Sequence, residues 1–301
     1  MTRSHFLGIV TATALTALFL MGSHSARVQG DLVLPFTYGA AAGYLNVDDG
    51  RSHPFKGTST VNKFGFNDDM DQTEESIWDG NDLGGPLRCF TIIGTTAVAL
   101  YVSSDDENDA SDNNGVEVTV EYLDANWDDQ TVTAALGVAS AGGTVFAQVG
   151  TEVIMRVNRA YTGDVAAVGN IYIATDTTDG DADGIPDDIA NQYVAGITIG
   201  EGQTLQACYT VPNGTVALMT RFFVGNASSV GNILYRLRAS VEGAASRTKE
   251  LHPVGSATPW LVPHDPPLRF AEKTDLELTG DGITGANNDA SGTFDLVLIP
   301  E

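Results

Sequence analysis

Positive charge is scarce in this chain. Only 15 Lys plus Arg stand against 39 Asp plus Glu in 301 residues, a formal net charge of −24. Such a surface lacks the cationic groups that release counterions from a phosphate backbone, so direct nucleic-acid binding is not expected, and neither is attachment to an anionic membrane. The same charge favours solubility and suits divalent cations. Cysteine is nearly absent: Cys89 and Cys208 are the only two, and one disulfide between them is the most they can form. Long apolar runs are missing as well. The one extended stretch, Phe6 to Met21, is shorter than the roughly 20 residues a membrane-spanning helix needs. No glycine-rich phosphate loop follows a strand and opens a helix. The five histidines, His5, His24, His53, His252 and His264, show no metal-ligand spacing to one another. Convincing amphipathic helices are lacking from Arg88 onward, which argues against a βαβ enzyme fold.

What the chain does contain is strand-and-turn chemistry. CFTIIG, AVALYVS, VEVTVEYL, QTVTAAL, TVFAQV and EVIMRVNRAY are short runs rich in Val, Ile, Thr and aromatics, separated by Gly, Asp, Asn and Ser. IYIAT, GITIG, ILYRLRASV, DLELTG and FDLVLI continue the pattern to Ile299. About a dozen such strands predict an all-β fold of antiparallel sheets, a β-sandwich or jelly roll, built as one unit or two packed sandwich units. The clearest stretch is Gly202 to Phe223. Leu205, Ala207, Tyr209 and Val211 alternate with Gln206, Cys208 and Thr210, and Pro212-Asn213-Gly214 supplies a turn, so a β-hairpin with one buried face is expected. Pro266-Pro267 predicts a turn before LRFAEKTDLEL, and the alternation of Phe294, Leu296 and Leu298 predicts a central closing strand.

Composition divides the chain into an apolar segment 1–30, an extended arm 31–87 and a sandwich region 88–301, with a subdivision near 165–200. Met1 to Arg27 has the charged, apolar and small-residue parts of a secretory signal; the alternative is an uncleaved arm. Within the arm, Phe64, Phe66 and Trp78 punctuate acidic residues. Large rings bury much area at low entropy cost, so these three are candidates to dock in a neighbour's pockets or to wrap back over their own domain. Asp105 to Gly115 reads as a solvated loop, with weak cation binding as the alternative. Asp179-Gly-Asp181-Ala-Asp183-Gly-Ile-Pro-Asp187 resembles the opening of a calcium loop, with Asp179, Asp181, Asp183 and Asp187 as candidate ligands. Ala190 stands where such loops carry a glutamate, and the competing reading is an acidic surface turn.

VNKFGFNDDMDQTEESIWDG, YLDANWDDQTVTAAL, MRVNRAY, GNIYI, GEGQTLQACYTVPNGTVALMTR, PPLRFAEKTDLEL and SGTFDLVLI together resemble, in order, blocks of a family of virion structural proteins from tailed bacteriophages, many of them marine. The resemblance covers most of residues 60 to 299 and implies a non-enzymatic accessory protein of the phage head or tail. That protein would dock by its arm on capsid, tail or fibre components and assemble as a homo-oligomer, with a trimer fitting decoration and fibre proteins. Assembly in a bacterial cytoplasm would disfavour an export signal and would leave Cys89 and Cys208 as buried free thiols. The runner-up is a secreted, calcium-dependent carbohydrate- or surface-binding module. An enzyme acting on polysaccharide ranks third, because no pair of acids stands out among 39 carboxylates.

Overall fold

The computed structural model describes residues 58–80, 83–228, 231–284 and 288–301. The apolar N-terminal segment and most of the arm lie outside them, as does the signal-like start. The described chain is nearly all β, arranged in antiparallel sheets. The predicted all-β sandwich is therefore what the molecule contains.

Sixteen strands run in order along the described residues. They are β1 (Ser59–Met70), β2 (Glu75–Ser76), β3 (Tyr101–Ser104), β4 (Glu117–Asp124), β5 (Asp129–Ala135), β6 (Ala147–Gln148), β7 (Ile154–Thr162) and β8 (Ile171–Ala174). After them come β9 (Tyr193–Ile197), β10 (Cys208–Thr210), β11 (Thr215–Asn226), β12 (Asn232–Val241), β13 (Arg247–Val254), β14 (Thr258–Phe270), β15 (Thr274–Thr284) and β16 (Asn288–Pro300).

Two of the four sheets have the orders β1-β16-β11-β14 and β10-β15-β12-β13, with β2 also pairing β15. The short strands β2 and β10 lie on the same edge of β15, opposite Thr279–Gly280 and Asp275–Glu277 respectively. They are the two halves of one interrupted strand. Counting them as one leaves eight strands, in which the first pairs the last, the second the seventh, the third the sixth and the fourth the fifth. That nesting is a long antiparallel ribbon folded over on itself, a jelly roll. Its core joins residues distant in sequence, with Met70 and Ile77 against Phe222, Tyr235, Leu278, Phe294 and Leu296.

The interruption holds a second sandwich, with sheets β6-β3-β8-β9 and β5-β4-β7. Its own core runs from Ile93 to Ile197 and includes Val102, Val120, Trp127, Ile154 and Ile173. The chain leaves the jelly roll at Trp78 and returns at Gln206, where the two residues form an antiparallel bridge. Beside it the Ala207 amide donates to the Ile77 carbonyl at 2.9 Å. Both sandwiches belong to a single unit, Thr60–Glu301.

Three sequence expectations change here. Gly202 to Phe223 is not a hairpin, because β10 pairs β15 in one sheet while β11 pairs β14 and β16 in the facing sheet. Gly214 does take the left-handed conformation, at φ 64°, but the corner it makes crosses from sheet to sheet. Pro266-Pro267 does not turn the chain either. β14 continues through them as an edge strand, with its register shifting between Met219 and Arg221 of β11, and an edge tolerates the missing amide donors. The Asp105 to Gly115 loop is not simply solvated. Asp109 is fully buried and accepts from Ser104 Oγ at 2.6 Å and from the Val168 and Gly169 amides at 2.8 and 3.0 Å.

Candidate functional site: the seam between the sandwiches and the acidic loop

Alternation along β10 predicts one apolar and one polar face, and the structure buries both. Ala207, Tyr209 and Val211 enter the jelly-roll core. Gln206, Cys208 and Thr210 face the inserted sandwich and are equally buried. Buried polar groups need partners, and here the insert supplies them. Asn158 of β7 binds Thr210 as a strand would: its Oδ1 accepts from the Thr210 amide at 2.9 Å and its Nδ2 donates to the Thr210 carbonyl at 3.3 Å. Gln206 Nε2 donates to the carbonyls of Val157 and Asn158 at 3.3 and 3.2 Å.

An ion pair holds the centre of this seam. Arg156 meets Asp275 side-on, with Nε to Oδ1 and Nη2 to Oδ2 both at 3.0 Å, while Nη1 donates to the carbonyls of Ile93, Gly94 and Met155. Thr210 Oγ1 adds a donor to Asp275 at 2.6 Å. The guanidinium also lies over the Trp127 and Phe90 rings, 5.1 and 5.6 Å from their centroids. Both charges are thus withdrawn from water yet fully coordinated, the condition under which a buried pair is tolerated.

Cys89 and Cys208 form a disulfide, with Cα atoms 6.6 Å apart across a separation of 119 residues. This corrects the expectation of free thiols. That expectation rested on a reducing compartment; the fold overrides it by bringing both ends of the insertion to one place. Asp79 closes the same junction. It is buried, its Oδ2 accepts from Thr198 Oγ1 at 3.2 Å and the Leu205 amide at 3.3 Å, and burial pushes its carboxyl up to about 6. Around it Trp78 packs against Tyr193, whose ring also meets Tyr172, at 5.7 and 5.9 Å between centroids.

The three candidate docking rings are therefore not equivalent. Trp78 is fully buried inside its own chain, which removes it from the groups free to enter a partner. Phe64 and Phe66 lie on β1, a strand of the jelly roll, and are half-buried on its alternate face, while Lys63, Gly65 and Asn67 point inward. A Cβ on Gly65 would stand 2.0 Å from the Ile77 carbonyl oxygen, so β1 needs glycine there.

In the acidic loop, carboxylate oxygens of Asp179, Asp181 and Asp187 lie within 4.8 Å of one another. Asp183 is not part of that group; its Oδ1 accepts from the Ile185 amide at 2.9 Å. The Asp181 carboxyl is raised by the neighbouring charge of Asp183, with Asp179 adding to it. A bound cation would relieve that repulsion. Gly184 sits at φ 82°, where a Cβ would stand 2.0 Å from the Ser104 carbonyl oxygen, so the loop is pressed against β3.

Asn158, Arg156, Gln206, Thr210 and Asp275 escaped the sequence reading. The available signal was the polar face of β10 and the polar interruption in MRVNRAY, which alternation assigns to solvent by default.

No protein-family model and no curated protein matches the chain. Among solved structures, one titled "Structure of infectious bursal disease virus Gx strain" aligns over 80% of this chain and 71% of its own at 7% identity, with a TM-score of 0.21. The corresponding Gt strain structure covers 81% and 75% at 8% identity, with a TM-score of 0.14. Likeness of that size carries no assignment.

Proposed function

We propose that this protein is an assembly component of a bacteriophage virion, a jelly roll carrying an inserted sandwich that decorates the capsid or forms the base of a head or tail fibre. The observation that carries this reading is the seam: its buried polar groups bind the two sandwiches to each other, the work of a scaffold. Jelly rolls recur in viral capsid and lectin domains, which agrees with this role without requiring it. An apolar rim supports assembly with further copies. Leu251 on β13 and Trp260 and Leu261 on β14 are each about half exposed along edge strands, where a second copy would cover them. Phe64 and Phe66 remain candidates for contact with other virion proteins.

Purified particles test the reading. Peptides of this chain in the particle proteome, and density for two stacked sandwiches in a cryo-EM map, are the expected result; absence from particles ends the proposal.

The disulfide favours a second reading, a secreted, calcium-dependent carbohydrate- or surface-binding module, because such bonds persist in oxidising compartments. N-terminal sequencing separates the two, since a mature chain starting near Ala26 belongs to secretion. In either setting we assign Asp179, Asp181 and Asp187 to a calcium ion that fixes the acidic loop.

A further inference from the structure

A cleft of about 500 Å³ opens where the two sandwiches meet. That size falls in the range of about 300–1,000 Å³ usual for small-molecule sites, which favour domain junctions. One wall comes from the jelly roll, through β1 and Tyr209, and the other from β4, β5 and β7 of the insert.

Several of its polar groups have no partner within the described chain. Glu121 stands opposite Thr131 on one neighbouring strand and opposite Arg159 on the other. Yet Glu121 and Arg159 form no ion pair; the guanidinium instead donates to Gln203 and lies 5.2 Å from the Tyr161 ring centroid. Asp129 lies diagonally from Glu121 on the same face, and neither carboxylate accepts a hydrogen bond from the described chain. Across the cleft, Lys63 is only 5% exposed and donates to the Asn158 carbonyl. The Tyr209 hydroxyl has no hydrogen-bond partner among the described residues, and its phenol is held protonated by burial, with Asp129 and Glu121 adding to the effect.

We infer that this cleft, lined by Lys63, Glu121, Asp129, Thr131, Arg159 and Tyr209, binds a neutral, hydroxyl-rich ligand of the saccharide class. Open acceptors face open donors, and a hydroxyl group satisfies both. The cleft carries two acidic and two basic side chains, with Lys63 only partly charged near neutral pH, so no strong field of either sign matches a polyanion or a polycation. An amino-acid zwitterion fits less well. Burial, and after it the charge of Arg159, lowers the Lys63 amine to about 7, which leaves it a weak partner for a carboxylate near neutral pH but a sound one for a hydroxyl.

This inference goes beyond the assembly role and is independent of it. Absence from virions would leave the cleft's ligand untouched, and absence of sugar binding would leave the assembly role untouched. Saturation-transfer NMR on the full chain, with glucose, galactose and N-acetylglucosamine at millimolar concentration, tests it. Glycine and glucuronate serve as the zwitterionic and anionic comparators. Transfer to at least one neutral sugar is expected, weakened about tenfold by Glu121→Ala or Asp129→Ala in proteins that keep the wild-type melting temperature. Should either variant fail to fold, Thr131→Val, at an exposed position of β5, takes its place. Silence from all three neutral sugars, transfer unaffected by these substitutions, or binding confined to glycine or glucuronate overturns the inference.

Discussion

The jelly roll and the sandwich inserted into it use the same vocabulary of short, β-branched strands, yet they are closed in different ways. The insert draws its core from one continuous stretch, Ile93 to Ile197. The jelly roll must bring Met70 and Ile77 to Leu296 and Leu298, and its second strand is cut in two by the insertion. A strand of three residues is a weak edge by itself. The insert covers the outer face of that edge: Asn158 bonds the Thr210 backbone, its strand's carbonyls accept from Gln206, and Arg156 pairs with Asp275 of β15. The lesson is that an insertion need not hang from its host as a passenger; here its side chains satisfy polar groups on the host's edge strand.

The largest effect should follow from breaking the seam's ion pair. Asp275→Ala leaves Arg156 buried without its counter-ion and is expected to cost about 3–5 kcal/mol in urea unfolding. The exposed pair between Arg221 and Asp295 is the control, since Arg221→Ala should cost under about 1 kcal/mol. Equal losses from the two would erase the distinction between seam and surface.

The disulfide comes next. It closes a loop that contains the insert's core and all its strands, so replacing both Cys89 and Cys208 by serine should lower stability by about 2–4 kcal/mol. A loss confined to the insert, with jelly-roll amides equally protected from hydrogen exchange, would mean the two sandwiches are not coupled there.

Asp79 gives the seam a pH signature. Its carboxyl lies near 6 in the fold against an ordinary 3.8, so the fold prefers the protonated form. The stability this group contributes is complete below 3.8 and is lost as pH rises through about 6. Asp79→Asn should flatten the melting-temperature profile across that window; an unchanged slope would assign the dependence elsewhere.

Calcium should have the smallest effect, because Asp181 and Asp187 are exposed at the surface of the insert. At about tenfold excess over Kd the expected gain is about 1.4 kcal/mol. Calorimetric titration should show binding heat in the wild type and none in Asp181→Ala. No heat in either protein removes the calcium assignment.

Strand chemistry made the sheets legible in the sequence, and φ at Gly214 follows from Pro-Asn-Gly. Pairing was not legible. Leu205 to Val211 shows that period two marks which residues share a face, but whether the polar face meets water or Asn158 depends on contacts far away in sequence. With two cysteines the pairing itself was open to the sequence, but its geometry was not, since only the folded stem brings Cys89 to Cys208. In the acidic loop, spacing pointed to four aspartates; carboxylates of Asp179, Asp181 and Asp187 lie together, while Asp179, Asp183 and Asp187 each also accept backbone amides of the loop.

Scanning calorimetry of the intact chain, beside Asp275→Ala, tests most directly whether the insert and the jelly roll form one cooperative scaffold. The wild type should unfold in a single transition, with calorimetric and van't Hoff enthalpies in agreement, and Asp275→Ala should unfold at lower temperature with a smaller van't Hoff than calorimetric enthalpy. Two resolved transitions in the wild type, unmoved relative to each other by Asp275→Ala, would contradict the account.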